Sequence, residues 1–169
     1  MFQPEFLKLI KKYFLAAAIF LLQLIFADKM RILGVAPNFV FAFVLALSFH
    51  KESGYSLWSA FILGFFLDCV SGRFFGVYIT LLALTALGIR ELYHSAFSEN
   101  FVLEAIYGLI ACLLYSLCYA LFTFLFEGNL WVLLYRTALL EFVYNFAIFL
   151  LMLFVQKRNH KKHRSVFHI

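Results

Sequence analysis

Four ionisable side chains interrupt otherwise apolar stretches of this chain: Asp68, Glu104, Arg136 and Glu141. A carboxylate or guanidinium facing lipid is costly, so in a membrane each would have to turn toward protein, toward water or toward an opposite charge. Asp68 and Arg136 have opposite signs and fall at similar depth in their respective runs. An Asp68–Arg136 ion pair is therefore the expected arrangement, with Arg73 as the competing partner for Asp68. Glu141 is expected near the middle of the last run, and Asn145 follows one turn later on the same face. Two uses of that pair stay open, a hydrogen-bonded group that specifies packing and a proton-relay or ligand site. Arg136, five residues before Glu141, lies well round the helix from it. Glu104 enters the fifth run where it can cap a helix start or reach water.

Other familiar chemistry is missing. His50, His94, His160, His163 and His168 all lie between or after the apolar runs, which leaves no intramembrane metal ligand or general base. There is no GxSxG, no P-loop and no GxGxxG opening a helix. Cys69, Cys112 and Cys118 form no CxxC pair and read as small packing residues. No nucleophile, cofactor or metal set emerges, and the expectation is a protein without enzymatic activity.

The composition names the solvent in which these side chains must be held. Of 169 residues, 65% are hydrophobic and 14% charged, and phenylalanine alone occurs 24 times. A soluble domain carries about 25% charged residues, and a water-facing surface made from this mixture would expose very large apolar patches. Apolar runs fall at about 13–27, 33–49, 55–70, 74–89, 101–126 and 130–155. Alternating polar positions of barrel strands are absent, and an open sheet cannot satisfy its edges in lipid. The expected fold is an all-α membrane protein, a bundle of about six short transmembrane helices. Several runs fall below the roughly 20 residues of a straight crossing, and spans three and four are the shortest. The pair at 55–89 could instead form a re-entrant hairpin without moving either terminus.

The connections between runs are short, and none has room for a catalytic domain. With loops assigned alternately to the two sides, ten Lys/Arg fall on the inside: Lys8, Lys11, Lys12, Lys51, Arg90, Lys157, Arg158, Lys161, Lys162 and Arg164. Three fall outside, Lys29, Arg31 and Arg73. That bias places both termini in the cytoplasm. It divides the chain into a basic N-terminus at 1–12, a helical bundle at 13–155 and a basic tail at 156–169. The first run, behind three lysines, reads as an uncleaved signal-anchor helix. The net charge of +5 is concentrated at the two ends, where it suits anionic lipid rather than nucleic acid.

Within the third run, Ser56, Ala60, Gly64, Asp68 and Gly72 recur every four residues. This spacing lines small side chains along one stripe, which lets two helix backbones approach closely. The stripe serves either as a seam inside the bundle or as a face for a partner's helix. Gly108, Cys112, Tyr115 and Tyr119 make a second stripe in the fifth run, read as helix packing. Pro37-Asn38 opens the second run, with Pro37 expected in the first helical turn, where its missing N–H is not needed.

Pro37-Asn38-Phe39-Val40, followed by Gly64-Phe-Phe-Leu-Asp68-Cys-Val-Ser-Gly72-Arg-Phe-Phe-Gly76, resembles the bacterial rod-shape-determining MreD family. Chain size, short spans and basic ends are similar across nearly the whole length, and Glu141 and Asn145 look like that family's polar positions in the last span. The resemblance implies a non-enzymatic inner-membrane subunit of the cell-elongation machinery. It implies direct association with an MreC-type protein and indirect connection to MreB and to RodA with its transpeptidase partner. It also implies a fold similar to the substrate-binding subunits of energy-coupling-factor transporters, which keeps a vitamin-binding transport subunit as the rival reading. Pro37, Asn38, Gly64, Asp68, Gly72 and Gly76 are the positions it singles out.

Overall fold

The structure, a computed structural model, describes residues 4–49, 53–72, 75–96, 100–127 and 138–166. Among these residues there are six helices and no strand: α1 Pro4–Phe26, α2 Phe39–Ser48, α3 Ser53–Ser71, α4 Val77–Ala96, α5 Phe101–Glu127 and α6 Leu139–Val166. Among the described residues, three stretches are long and apolar enough to cross a membrane, Gly54–Ser71, Phe101–Leu125 and Leu139–Arg158. The chain is an all-α membrane protein.

The second run departs from expectation. Only ten of its residues are helical, a rise of about 15 Å against a hydrocarbon core of roughly 30 Å. The shortest described helix is thus α2, not α3 or α4, which have 19 and 20 residues. The cause lies at its start. Asn38 is the N-cap, its side chain accepting the Phe41 N–H, so Pro37 sits just outside α2 rather than in the first turn, and it also disfavours helix in the residue before it. Ahead of it, Leu33 and Gly34 both take positive φ, +52° and +89°. They form a two-residue turn closed by reciprocal Ile32–Val35 backbone hydrogen bonds of 3.0 Å, the geometry of a tight hairpin.

From Phe39 to Leu47, α2 has no polar residue on any side, and a helix apolar all round is a buried one. It packs against all five other helices. Val40, Phe41, Ala42, Val44, Leu45 and Ala46 are completely inaccessible. Around this central rod, α1 runs alongside α3, tied by an edge-on Tyr13–Tyr55 ring pair and by the Tyr55 hydroxyl donating to the Lys12 carbonyl at 2.5 Å.

Helices α5 and α6 run antiparallel. Near one end, Lys157 Nζ meets the buried Glu104 carboxylate at 2.8 Å, so Glu104 in the first turn of α5 is ion-paired rather than hydrated. Further along, Phe149 fills the space over Gly108, where a Cβ would come within 2.0 Å of the ring. The three cysteines are free thiols. Large apolar side chains on the outer faces stay exposed, among them Phe14, Trp58, Leu84, Leu125 and Leu151. In a bilayer that surface is solvated by lipid.

Candidate functional site

The Gly64–Gly76 stretch forms the turn between α3 and α4, and each of its spaced residues has a separate physical task. Asp68, one turn before the end of α3, is 2% exposed. Its Oδ1 accepts the Tyr78 N–H and its Oδ2 the Ile79 N–H, each at 3.0 Å. Those are the second and third residues of α4, whose amides have no partner inside their own helix. One carboxylate therefore caps a neighbouring helix with both oxygens, at the end where the helix dipole favours negative charge.

That cap requires α3 and α4 to come very close, and Gly64 is where they do. A Cβ there would lie 2.7 Å from Ile79 Cα and 3.0 Å from its nitrogen. Gly72 and Gly76 then take φ of +61° and +98°, which side-chain-bearing residues rarely adopt. Gly72 ends α3 and Gly76 leads into α4, where its carbonyl accepts the Thr80 N–H at 3.0 Å and the Thr80 hydroxyl at 2.7 Å. The four-residue stripe is thus a seam inside the bundle at Gly64. Arg136 and Arg73, the expected partners of Asp68, lie outside the described residues. Among the described residues, the carboxylate's partners are the two backbone amides of α4.

A second polar cluster surrounds the start of α2. Asn38 Oδ1 accepts the Phe41 N–H at 2.9 Å, the standard N-cap bond. The Asn38 side-chain amide donates to the Tyr115 hydroxyl at 2.8 Å, and the Asn38 backbone N–H donates to Asn145 Oδ1 at 3.0 Å. From α1, the Gln23 amide donates to the Pro37 carbonyl at 3.1 Å while its oxygen accepts the Phe39 N–H at 2.7 Å. Tyr115 stacks on Phe41 with centroids 3.9 Å apart. The Tyr78 hydroxyl donates to that of Tyr119 at 3.2 Å, which joins α4 to α5.

Glu141 lies in the first turn of α6 as described, Leu139–Val166, and the residues just before Ala138 lie outside the described ones. It is 5% exposed, and Tyr78 and Tyr115 are within electrostatic reach of it. Asn145, one turn on, is fully inaccessible.

The structure thus draws two groups out of the expected positions. Pro37, Asn38 and Asn145 meet directly, with Glu141 beside them. Gly64, Asp68, Gly72 and Gly76 build the α3–α4 turn. Sequence reasoning missed Gln23 and gave Tyr115 and Tyr119 only a packing role. A glutamine one turn before the end of an apolar run was the available signal for the first. Among the described residues no group of three or more His, Cys, Asp or Glu side chains could hold a metal.

Against known proteins, the family model for rod shape-determining protein MreD matches residues 5–158. Comparison with curated proteins and with solved structures gives no match.

Proposed function

The chain belongs to the MreD family of rod shape-determining proteins, and we propose that it works as a non-enzymatic inner-membrane subunit of the bacterial cell-elongation complex. In that role it binds an MreC-type protein directly and supports cell-shape control and peptidoglycan synthesis. MreB, and RodA with its transpeptidase partner, are reached indirectly or within the same assembly. The observation that carries this reading is the family match over nearly the whole chain, within which the turn from Gly64 to Gly76 is built as one mechanical unit.

The physical character of the bundle supports a scaffold. Its polar side chains are spent largely on joining helix starts to neighbouring helices, as Asp68, Asn38 and Gln23 are. The Lys/Arg bias puts both termini in the cytoplasm, with the basic segments at 1–12 and 156–169 against anionic lipid and the bundle at 13–155 between them. The Gly72–Gly76 turn and the start of α2 then face the extracytoplasmic side.

Co-expression and detergent co-purification with an MreC-type protein tests the reading. Stoichiometric recovery is the expected result. Failure to recover it, together with a vitamin bound at one to one in the native preparation, would move the assignment to a transport subunit. Depletion in a rod-shaped host is expected to give rounded cells.

A further inference from the structure

Among the described residues, two buried polar atoms that share one helix face have no hydrogen-bond partner, Glu141 Oε2 and Asn145 Nδ2. Their residues are one turn apart on α6, so the side chains are neighbours. Asn145 is completely inaccessible and Glu141 is 5% exposed. The Asn145 amide is oriented by its other end, because Oδ1 accepts the Asn38 N–H at 3.0 Å. The Asn38 side-chain amide donates to the Tyr115 hydroxyl at 2.8 Å. A carboxyl oxygen and an amide nitrogen on residues one helical turn apart are thus without partners among the described residues, next to the Asn38–Tyr115 hydrogen bond.

Buried polar groups in folded proteins are paired almost without exception, and each exception calls for an occupant or a reason. The two atoms define what that occupant is. With Glu141 Oε2 as the acceptor, the occupant donates to it and accepts from the Asn145 N–H. A bare cation satisfies the first and is repelled by the second, and an anion does the reverse. A neutral hydroxyl satisfies both, and the smallest molecule carrying one is water, which persists in protein interiors where two to four polar partners surround it.

We propose that α6 holds one bound water between Glu141 Oε2 and Asn145 Nδ2. Through Asn145 this water joins Glu141 to the Asn38–Tyr115 pair, and through Pro37 and Phe39 to Gln23. Helices α1, α2, α5 and α6 then share one hydrogen-bond chain, closed at its α6 end by solvent rather than by a side chain. The site is independent of the scaffold reading and does not require a partner protein.

High-resolution cryo-electron microscopy of the full-length protein in nanodiscs, rigidified by a bound antibody fragment, tests it. The expected result is a density peak within about 3.2 Å of both atoms. Glu141→Gln, which still offers a carbonyl oxygen, keeps the peak. The double variant Glu141→Leu/Asn145→Leu loses it, and if that variant does not fold, the wild-type and E141Q maps decide alone. A direct Glu141–Asn145 hydrogen bond with no peak overturns the proposal. Thermal stabilisation of the wild type by sodium or ammonium that is lost in E141Q also overturns it, in favour of a cation.

Discussion

Asp68 of α3 and Ile79 of α4 are joined by a 3.0 Å hydrogen bond from the Ile79 N–H to Oδ2, and the same Ile79 backbone is what a side chain at Gly64 would strike. Gly64 and Asp68 are one helical turn apart, so both act on one point of the neighbouring helix. The glycine permits the approach and the carboxylate holds it. Close approach without the cap would leave two amides unpaired, and the cap without the glycine would be out of reach.

Asp68→Ala should therefore be the more damaging change at that position and Asp68→Asn the milder. Alanine strands two partly buried amides, each costing up to about 1–3 kcal/mol when unpaired. Asparagine keeps one acceptor. The midpoint of thermal unfolding in detergent should rank wild type above D68N and D68N above D68A. Because the capping partners are backbone amides, Arg136→Ala should not restore D68A. Restoration would instead establish the ion pair expected from charge and depth.

Gly64→Ala should lower the same midpoint by an amount corresponding to about 1–3 kcal/mol, the usual cost of forcing extra volume into a packed seam. The atoms in the way are Ile79 backbone, which cannot swing aside as a side-chain tip can. Gly72→Ala and Gly76→Ala should cost about 1 kcal/mol each for a different reason. Nothing lies within 4 Å of a Cβ at either position, and the penalty is backbone strain at positive φ. If Gly64→Ala were neutral while the other two were damaging, the close approach would be dispensable.

These effects separate what could be read from the sequence from what could not. The apolar runs overlap α3, α4 and α5, and the run at 13–27 overlaps the later part of α1, which begins at Pro4, since hydropathy follows from composition alone. The four-residue spacing of Gly64, Asp68, Gly72 and Gly76 marked this turn, and the sequence suggested a cation for Asp68, whose expected partners Arg136 and Arg73 lie outside the described residues. Side-chain charges can be seen in a sequence, whereas unpaired amides at a helix start cannot, because every helix has them. Similarly, α2 looked like a full span because residues 33–36 are as apolar as those that follow. What shortens it is the Leu33–Gly34 turn and Pro37, features of backbone conformation rather than of hydropathy. The meeting of Gln23, Asn38, Tyr115 and Asn145 joins residues up to 107 positions apart, and no local pattern announces it.

Gln23→Leu should destabilise the bundle by about 1–3 kcal/mol, since it strands the partly buried Phe39 N–H and removes a donor from the Pro37 carbonyl. Gln23→Glu should fall between, because a carboxylate still accepts from Phe39 and cannot donate to Pro37. Equal unfolding midpoints for Q23L and wild type would mean that α1 contributes nothing to fixing the start of α2.

Gly108 and Phe149 offer a test of packing between α5 and α6 that can be closed as a cycle. A methyl at position 108 would sit 2.0 Å from the Phe149 ring, far inside contact distance, and the ring is completely buried with little room to turn. Gly108→Ala alone should lower the unfolding midpoint, and Phe149→Leu alone should also lower it by opening a cavity. The double variant places the added methyl where ring atoms were removed, so its loss should be smaller than the sum of the two. A coupling of about 0.5–3 kcal/mol is the size expected for residues in direct contact. Strict additivity would mean that the ring moves aside at no cost, and that Gly108 is there for helix approach in general rather than as the socket for Phe149.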